Sequence, residues 1–175
     1  SDHGYLLGEK FMWGKVMLFE QCDRVPLIVR VPEGIGSVST TPGTSSDGLV
    51  ELIDLFPTLA ELCEITPPAE LQGQSLVSML KDPQSAGKEV AYTVVTRGEH
   101  LGKAIRTQRH HYTHWSTGEE LYDLSLDPYE ETNLANSSKH NATLEMMRKH
   151  LAKSETSAIA AQRPKTKNID RKNRN

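Results

Sequence analysis

The segment Val25–Val31, V-P-L-I-V-R-V, constrains the fold of this chain most. It is short, β-branched and apolar at successive positions, so neither face of a strand built from it suits water. Such a strand belongs in a mostly parallel sheet covered on both sides. Pro32-Glu33-Gly34 stops it, and residues 34–48, rich in Gly, Ser, Thr and Pro, read as an exposed loop. A second strand is expected at Leu49–Ile53. Asp54 then fits a helix N-cap, its carboxylate accepting the free amides of the next turn. Pro57 falls in that first turn, where its missing N–H costs little. Leu55, Leu59 and Leu62, with Phe56, Ala60 and Cys63, form an apolar stripe at helical spacing. A short helix is expected within Gly73 to Lys81, ended by Pro83.

From Val90 the hydrophobic period changes. Val90–Val95, Lys103–Thr107, His110–Trp115 and Glu120–Leu124 are short strand candidates with Gly98, Gly102 and Thr117-Gly118 between them. Their close spacing predicts a small antiparallel sheet. Leu144, Met147 and Leu151 then predict a helix from Asn141 to about Ala161 that packs on the sheet. The order gives an α/β class: residues 1–85 as part of a strand–helix α/β layer, and residues 86–162 as a small antiparallel sheet with a terminal helix. The first region has too few strands to cover a parallel sheet by itself. The chain also opens inside a dense motif, Ser1-Asp2-His3-Gly4, so it reads as the C-terminal portion of a longer protein.

Composition excludes several classes. With 37% hydrophobic and 25% charged residues and a net charge of −3, the chain is neither fully disordered nor collagen-like. No apolar run reaches the ~18–20 residues of a membrane-spanning helix. Cys22 and Cys63 cannot build a disulfide framework; they either pair or stay reduced. Residues 163–175 hold six Lys or Arg against one acid, Asp170. They read as a disordered basic tail, with polyanion binding as the alternative. No nucleic-acid partner is expected.

Few residues carry chemistry on their own. Asp2 and His3 are adjacent metal-competent donors on an irregular turn that Gly4 relaxes, or else an ordinary surface turn. Lys15, beyond Gly8 and Gly14, is a point donor suited to an oxyanion, or a plain exposed lysine. Tyr5, Phe11 and Trp13 either line a pocket or make core contacts. His110, His111 and His114 invite a zinc reading, but no Cys or acid completes a set with zinc-like spacing. Half-exposed strand histidines are the plainer reading. Arg97, His100 and Arg106 could reach a cleft from the small sheet. Two sequons, at Asn136 and Asn141, matter only in a secreted eukaryotic protein. No Gly-x-Ser-x-Gly elbow, Walker-type loop or Cys-x-x-Cys pair is present.

Four segments in order resemble the sulfatase family: S-D-H-G-Y-L-L-G-E (1–9) with Lys15, V-P-L-I-V-R-V-P (25–32), L-V-E-L-I-D-L-F-P-T-L-A-E-L (49–62) and E-L-Y-D-L-S-L-D-P-Y-E-E-T-N-L (120–134). A-I-R-T-Q-R-H-H-Y-T-H-W (104–115) resembles the strand pair before the last of these. The resemblance spans residues 1 to about 150. Within sulfatases, the first segment with Trp13 and Lys15 looks most like iduronate-2-sulfatase and its bacterial relatives.

The resemblance implies the C-terminal part of an alkaline-phosphatase-like α/β sandwich. It implies one divalent cation, usually Ca²⁺, with Asp2 and His3 matching the late pair of ligands. Many sulfatases carry Asn where this chain has His3. Lys15 matches a catalytic, substrate-binding lysine on the sulfate ester. The family's nucleophile is a formylglycine made from Cys or Ser in a Cys/Ser-x-Pro-x-Arg motif, which neither C-D-R-V-P at Cys22 nor C-E-I-T-P at Cys63 matches. That motif is therefore expected upstream, and the chain alone is expected to be inactive. The implied partners are a sulfated saccharide or another sulfate ester and the N-terminal remainder. A secreted, periplasmic or lysosomal parent is expected. Asp54, Asp123, Asp127 and Asn133 also match family positions and read as structural. The competing expectations are a phosphoesterase or phosphomutase of the same superfamily, and a non-catalytic binding module with a degenerate site.

Overall fold

A computed structural model describes residues 1–35, 40, 42–68 and 70–162, with side chains through residue 158. The expected basic tail lies outside the described residues. Two short strands, β1 (Leu6–Leu7) and β2 (Trp13–Gly14), pair antiparallel and are followed by the helical turn α1 (Glu20–Asp23). Helices α2 (Leu55–Leu62) and α3 (Val77–Lys81) come next. Strands β3 (Ala91–Arg97), β4 (His100–Arg106), β5 (His110–Trp115) and β6 (Gly118–Asp123) form a four-stranded antiparallel meander in chain order. Helix α4 (Asn141–Gln162) closes the described chain.

The meander has two different faces because side chains alternate along each strand. Ile105, Tyr112 and Leu121 stand in register across β4, β5 and β6, and all three are buried. They pack with Leu144, Met147 and Leu151 of α4, which repeat at helical spacing as expected. On the other face, Arg106, His111 and Tyr122 stand in register. This face receives residues 19–23: the Phe19 and Tyr122 rings are 6.4 Å apart, and Arg106 Nε donates to Glu20 Oε1 at 2.7 Å. The first part of the chain thus sits on a sheet formed some hundred residues later.

Two expected strands are absent. Val25–Val31 belongs to no strand, and Ile28 is 90% exposed. A strand exists through its ladder, and among the described residues no strand pairs with this segment. Leu49–Ile53 also fails as a strand. Leu49 makes an isolated bridge to Lys88, and Leu52–Asp54 wind into a 3₁₀ turn. The cause is Asp54, whose buried carboxylate reaches back to the Glu51 N–H at 2.8 Å and across to the Gln74 N–H at 2.8 Å. It does not cap α2 in the expected sense. Lys88 Nζ lies 2.6 Å from Asp54 Oδ1 and also pairs with Glu51, whose Oε1 accepts the Tyr92 N–H at 2.8 Å. This buried cluster ties α2 to β3.

The α2 stripe is also oriented differently from the expectation. Thr58, Ala60 and Leu62 are buried, whereas Phe56, Leu59 and Cys63 are exposed. Thr58 explains the rotation, because its hydroxyl accepts the Leu76 N–H at 2.9 Å and draws that side of α2 inward. No helix among the described residues is long and apolar enough to cross a membrane.

Candidate functional site

The turn carrying Asp2 and His3 is fixed by Gly4. Its N–H donates to the Cys22 carbonyl at 2.8 Å. A Cβ at this position would lie 1.8 Å from the Gln21 carbonyl oxygen, so only glycine allows the turn to rest on α1. Close approach, rather than backbone freedom, is what the glycine supplies.

Asp2, His3 and Lys15 stand together. His3 Nε2 is 3.6 Å from Asp2 Oδ2 and 3.3 Å from Lys15 Nζ. His3 Nδ1 lies 2.9 Å from the Gly4 carbonyl oxygen, which can only accept, so Nδ1 carries the proton. The Nε2 lone pair then faces Asp2 and Lys15. A backbone hydrogen bond is the leading cause that holds the Asp2 carboxyl below the usual range. All three side chains are exposed.

Lys15 rides on an unusual backbone. Phe11 and Val16 have φ of 56° and 68°, and Lys10 has 55°. A left-handed conformation at a β-branched residue costs about 1–3 kcal/mol and persists only where the surroundings enforce it. Those surroundings are buried. Met17, Leu18 and Cys22 are in the interior, while Lys10 Nζ donates to the Tyr129 carbonyl at 2.7 Å and to the Glu130 carbonyl. The Glu130 carboxylate accepts the Glu20 N–H at 2.8 Å and pairs with His111 Nδ1. Beside it, Asp23 Oδ2 lies 3.9 Å from His111 Nε2, and neither atom has a hydrogen-bond partner. Burial pushes the Asp23 carboxyl up to about 7, against the opposing pull of His111.

The remaining candidates fall apart. Tyr5, Phe11 and Trp13 are all exposed, neither in the core nor in the cleft lined by Met12, Phe19 and Trp115. His110, His111 and His114 do not converge: His111 is fully buried against Glu130, His110 is half-buried and His114 is exposed. His111 thus departs from the half-exposed expectation. Among the described residues, no group of three or more His, Cys, Asp or Glu is arranged to hold a metal. Cys22 is buried, Cys63 is exposed and both are free; burial pushes the Cys22 thiol up, away from reactivity. Arg97 and His100 line a cleft of about 510 Å³ with Met12, Phe19, Trp115 and Glu120. Arg106 turns away to Glu20.

Sequence reasoning missed Glu130, Lys10 and Glu20. Glu130 stands in the E-E-T-N-L stretch, where an acid reads as solvated. Only its contacts to residues more than a hundred positions away reveal its role. Asn133 and Asp127 match the structural expectation. Asn133 Oδ1 accepts the Leu121 and Ala135 N–H groups at 3.1 and 2.9 Å, and Asp127 accepts those of Glu131 and Thr132 at 3.0 and 2.8 Å.

Comparisons with known proteins agree with this architecture. The family described as "N-sulphoglucosamine sulphohydrolase, C-terminal" matches residues 8–157. A sulfatase of Formosa agariphila is 32% identical over 87% of this chain and 29% of its own length. Mouse iduronate 2-sulfatase is 27% identical over 85% of this chain and 39% of its own length. A solved structure of a protein with its substrate D-glucosamine-2-N,6-O-disulfate superimposes with a TM-score of 0.82, at 23% identity, over 94% of this chain and 35% of that one. The chain thus spans about a third of the length of these relatives. It belongs to the sulfatase family of the alkaline-phosphatase-like superfamily and corresponds to the family's C-terminal region.

Proposed function

We propose that the protein carrying this chain is a sulfuric ester hydrolase, in which Asp2 and His3 supply two ligands to one divalent cation and Lys15 binds the sulfate ester. The observation that carries this reading is the convergence of one carboxylate and one ammonium on one imidazole nitrogen, Asp2 Oδ2 at 3.6 Å and Lys15 Nζ at 3.3 Å from His3 Nε2. The donor set fits part of a cation shell, because Asp2 Oδ2 and the Nε2 lone pair face the same space. Ca²⁺ is our assignment, and the remaining ligands come from outside this chain. Bound there, the cation supplies Lewis-acid polarisation and orientation of the ester.

The chain's own residues do the rest. His3 keeps its proton on Nδ1 by donating to Gly4, which leaves Nε2 as the ligating atom. Lys15 gives up its hydrogen bond to Nε2 when that lone pair is used. Its ammonium then meets the sulfuryl oxygens and the leaving oxygen, where negative charge grows as the S–O bond breaks. Neither cysteine serves as nucleophile. A formylglycine hydrate elsewhere in the protein would supply that chemistry, and these 175 residues alone would then not turn over sulfate esters. The substrate class is a sulfated saccharide, with an iduronate-2-sulfate unit as the nearest assignment. Its support is the pattern of the first nine residues with Trp13 and Lys15, and the similarity to mouse iduronate 2-sulfatase.

The test is a matched pair of substrates given to the full-length protein, an aryl sulfate and the corresponding aryl phosphate. Sulfate should be hydrolysed at least about tenfold faster, a difference of about 1.4 kcal/mol in barrier. A preference for phosphate would establish the phosphoesterase reading instead.

A further inference from the structure

We propose that Glu130 is a positioning residue for Lys15, clamping both ends of the loop that carries it; this rests on the role proposed for Lys15. Lys15 stands midway between Lys10 and Glu20, and Glu130 grips the chain at each. Its carbonyl, with that of Tyr129, accepts the Lys10 ammonium, and its carboxylate accepts the Glu20 N–H at 2.8 Å. Within this segment only Trp13–Gly14 is paired, to Leu6–Leu7, and two residues on each strand make too short a ladder to hold it alone.

The clamp is itself rigid. Glu130 is 1% exposed, and its backbone is left-handed at φ 56°, which turns its carbonyl and its carboxylate toward the same segment. The second carboxylate oxygen pairs with the buried His111 on β5, so the clamp is anchored in the meander. Backbone that is left-handed at Phe11 and Val16 relaxes when its ends are released. Release therefore moves the Lys15 ammonium rather than unfolding the sheet.

A double-mutant cycle in the full-length protein tests this. Glu130→Gln keeps the size and one acceptor while removing the charge. It should lower kcat/KM on a sulfate ester at least about tenfold, in the same kinetic parameter that Lys15→Ala lowers. In a Lys15→Ala background the same change should cost less than about twofold, because the group being positioned is gone. Lys10→Met, which releases the other end without touching a buried charge, should show the same coupling. It keeps the proposal testable if Glu130→Gln folds poorly. Amide exchange of residues 11–19 should quicken at least about tenfold in either variant. Equal losses with and without Lys15, or unchanged exchange, would overturn the proposal. If Lys15→Ala alone leaves turnover unchanged while exchange still quickens, Glu130 holds the loop but the function proposed for Lys15 fails, and the positioning role fails with it.

Discussion

His3 Nε2 stands 3.3 Å from Lys15 Nζ while the other ring nitrogen donates to the Gly4 carbonyl. The lone pair that suits a cation is thus the one the lysine now occupies. Removing either proposed ligand, Asp2 or His3, should be felt in metal affinity before anything else. Asp2→Asn or His3→Ala in the full-length protein should weaken Ca²⁺ binding at least about tenfold by calorimetry, or about 1.4 kcal/mol. Lys15→Ala should leave Ca²⁺ affinity unchanged or tighten it, since it removes both a competing donor and a positive charge.

Gly4 is the pivot of the same turn. With the Gln21 carbonyl oxygen 1.8 Å from any added Cβ, Gly4→Ala must push the turn off α1 and break the bond to the Cys22 carbonyl. The contact is with backbone, which yields poorly. A destabilisation of about 1–3 kcal/mol is expected, measured as a shift of the urea midpoint. Gly14→Ala, where nothing lies within 4 Å, is strained only by its φ of 126° and serves as the comparison.

Asp23 makes stability depend on pH. Its carboxyl titrates at about 7 in the folded protein, against an ordinary 3.8, chiefly because it is buried. The folded state therefore holds a proton that the unfolded chain has already lost. The associated stability is complete below pH 3.8 and is lost as pH rises through about 7. His111, Glu130 and Glu20 face this group, His111 opposing the shift and the two acids adding to it. Thermal midpoints should fall between about pH 4 and about pH 7, and Asp23→Asn should flatten that fall. A variant as steep as the parent would assign the pH dependence to another group.

Asn133 joins the sheet to the segment leading into α4. Its side-chain oxygen accepts two backbone N–H groups, and its nitrogen donates to the Glu119 carbonyl at 3.2 Å. Asn133→Ala should cost about 1–3 kcal/mol in chemical denaturation, because it leaves the Leu121 amide without a partner at the sheet edge.

What the sequence discloses depends on the range of the interaction. The meander and α4 were legible because their signals are local: Gly98 and Thr117-Gly118 mark turns, and Leu144, Met147 and Leu151 repeat on one helical face. Val25–Val31 was misread because a run apolar on both faces specifies a preference for pairing but cannot supply a partner. Leu49–Ile53 was misread because the Asp54 carboxylate overrode β propensity by binding a backbone amide three residues earlier. The Asp2, His3 and Lys15 constellation was suggested by family resemblance, since spacing alone says little about an irregular turn. Glu130 was illegible because a buried acid can be recognised only once Glu20, far away in the chain, and His111 on β5 are seen beside it.

The most direct measurement is the turnover of a sulfate ester by the full-length protein with and without the Lys15 ammonium. The account predicts that Lys15→Ala, folded as judged by its thermal midpoint, loses at least about tenfold in kcat, equivalent to about 1.4 kcal/mol of transition-state stabilisation. Undiminished turnover in a folded Lys15→Ala protein would contradict it.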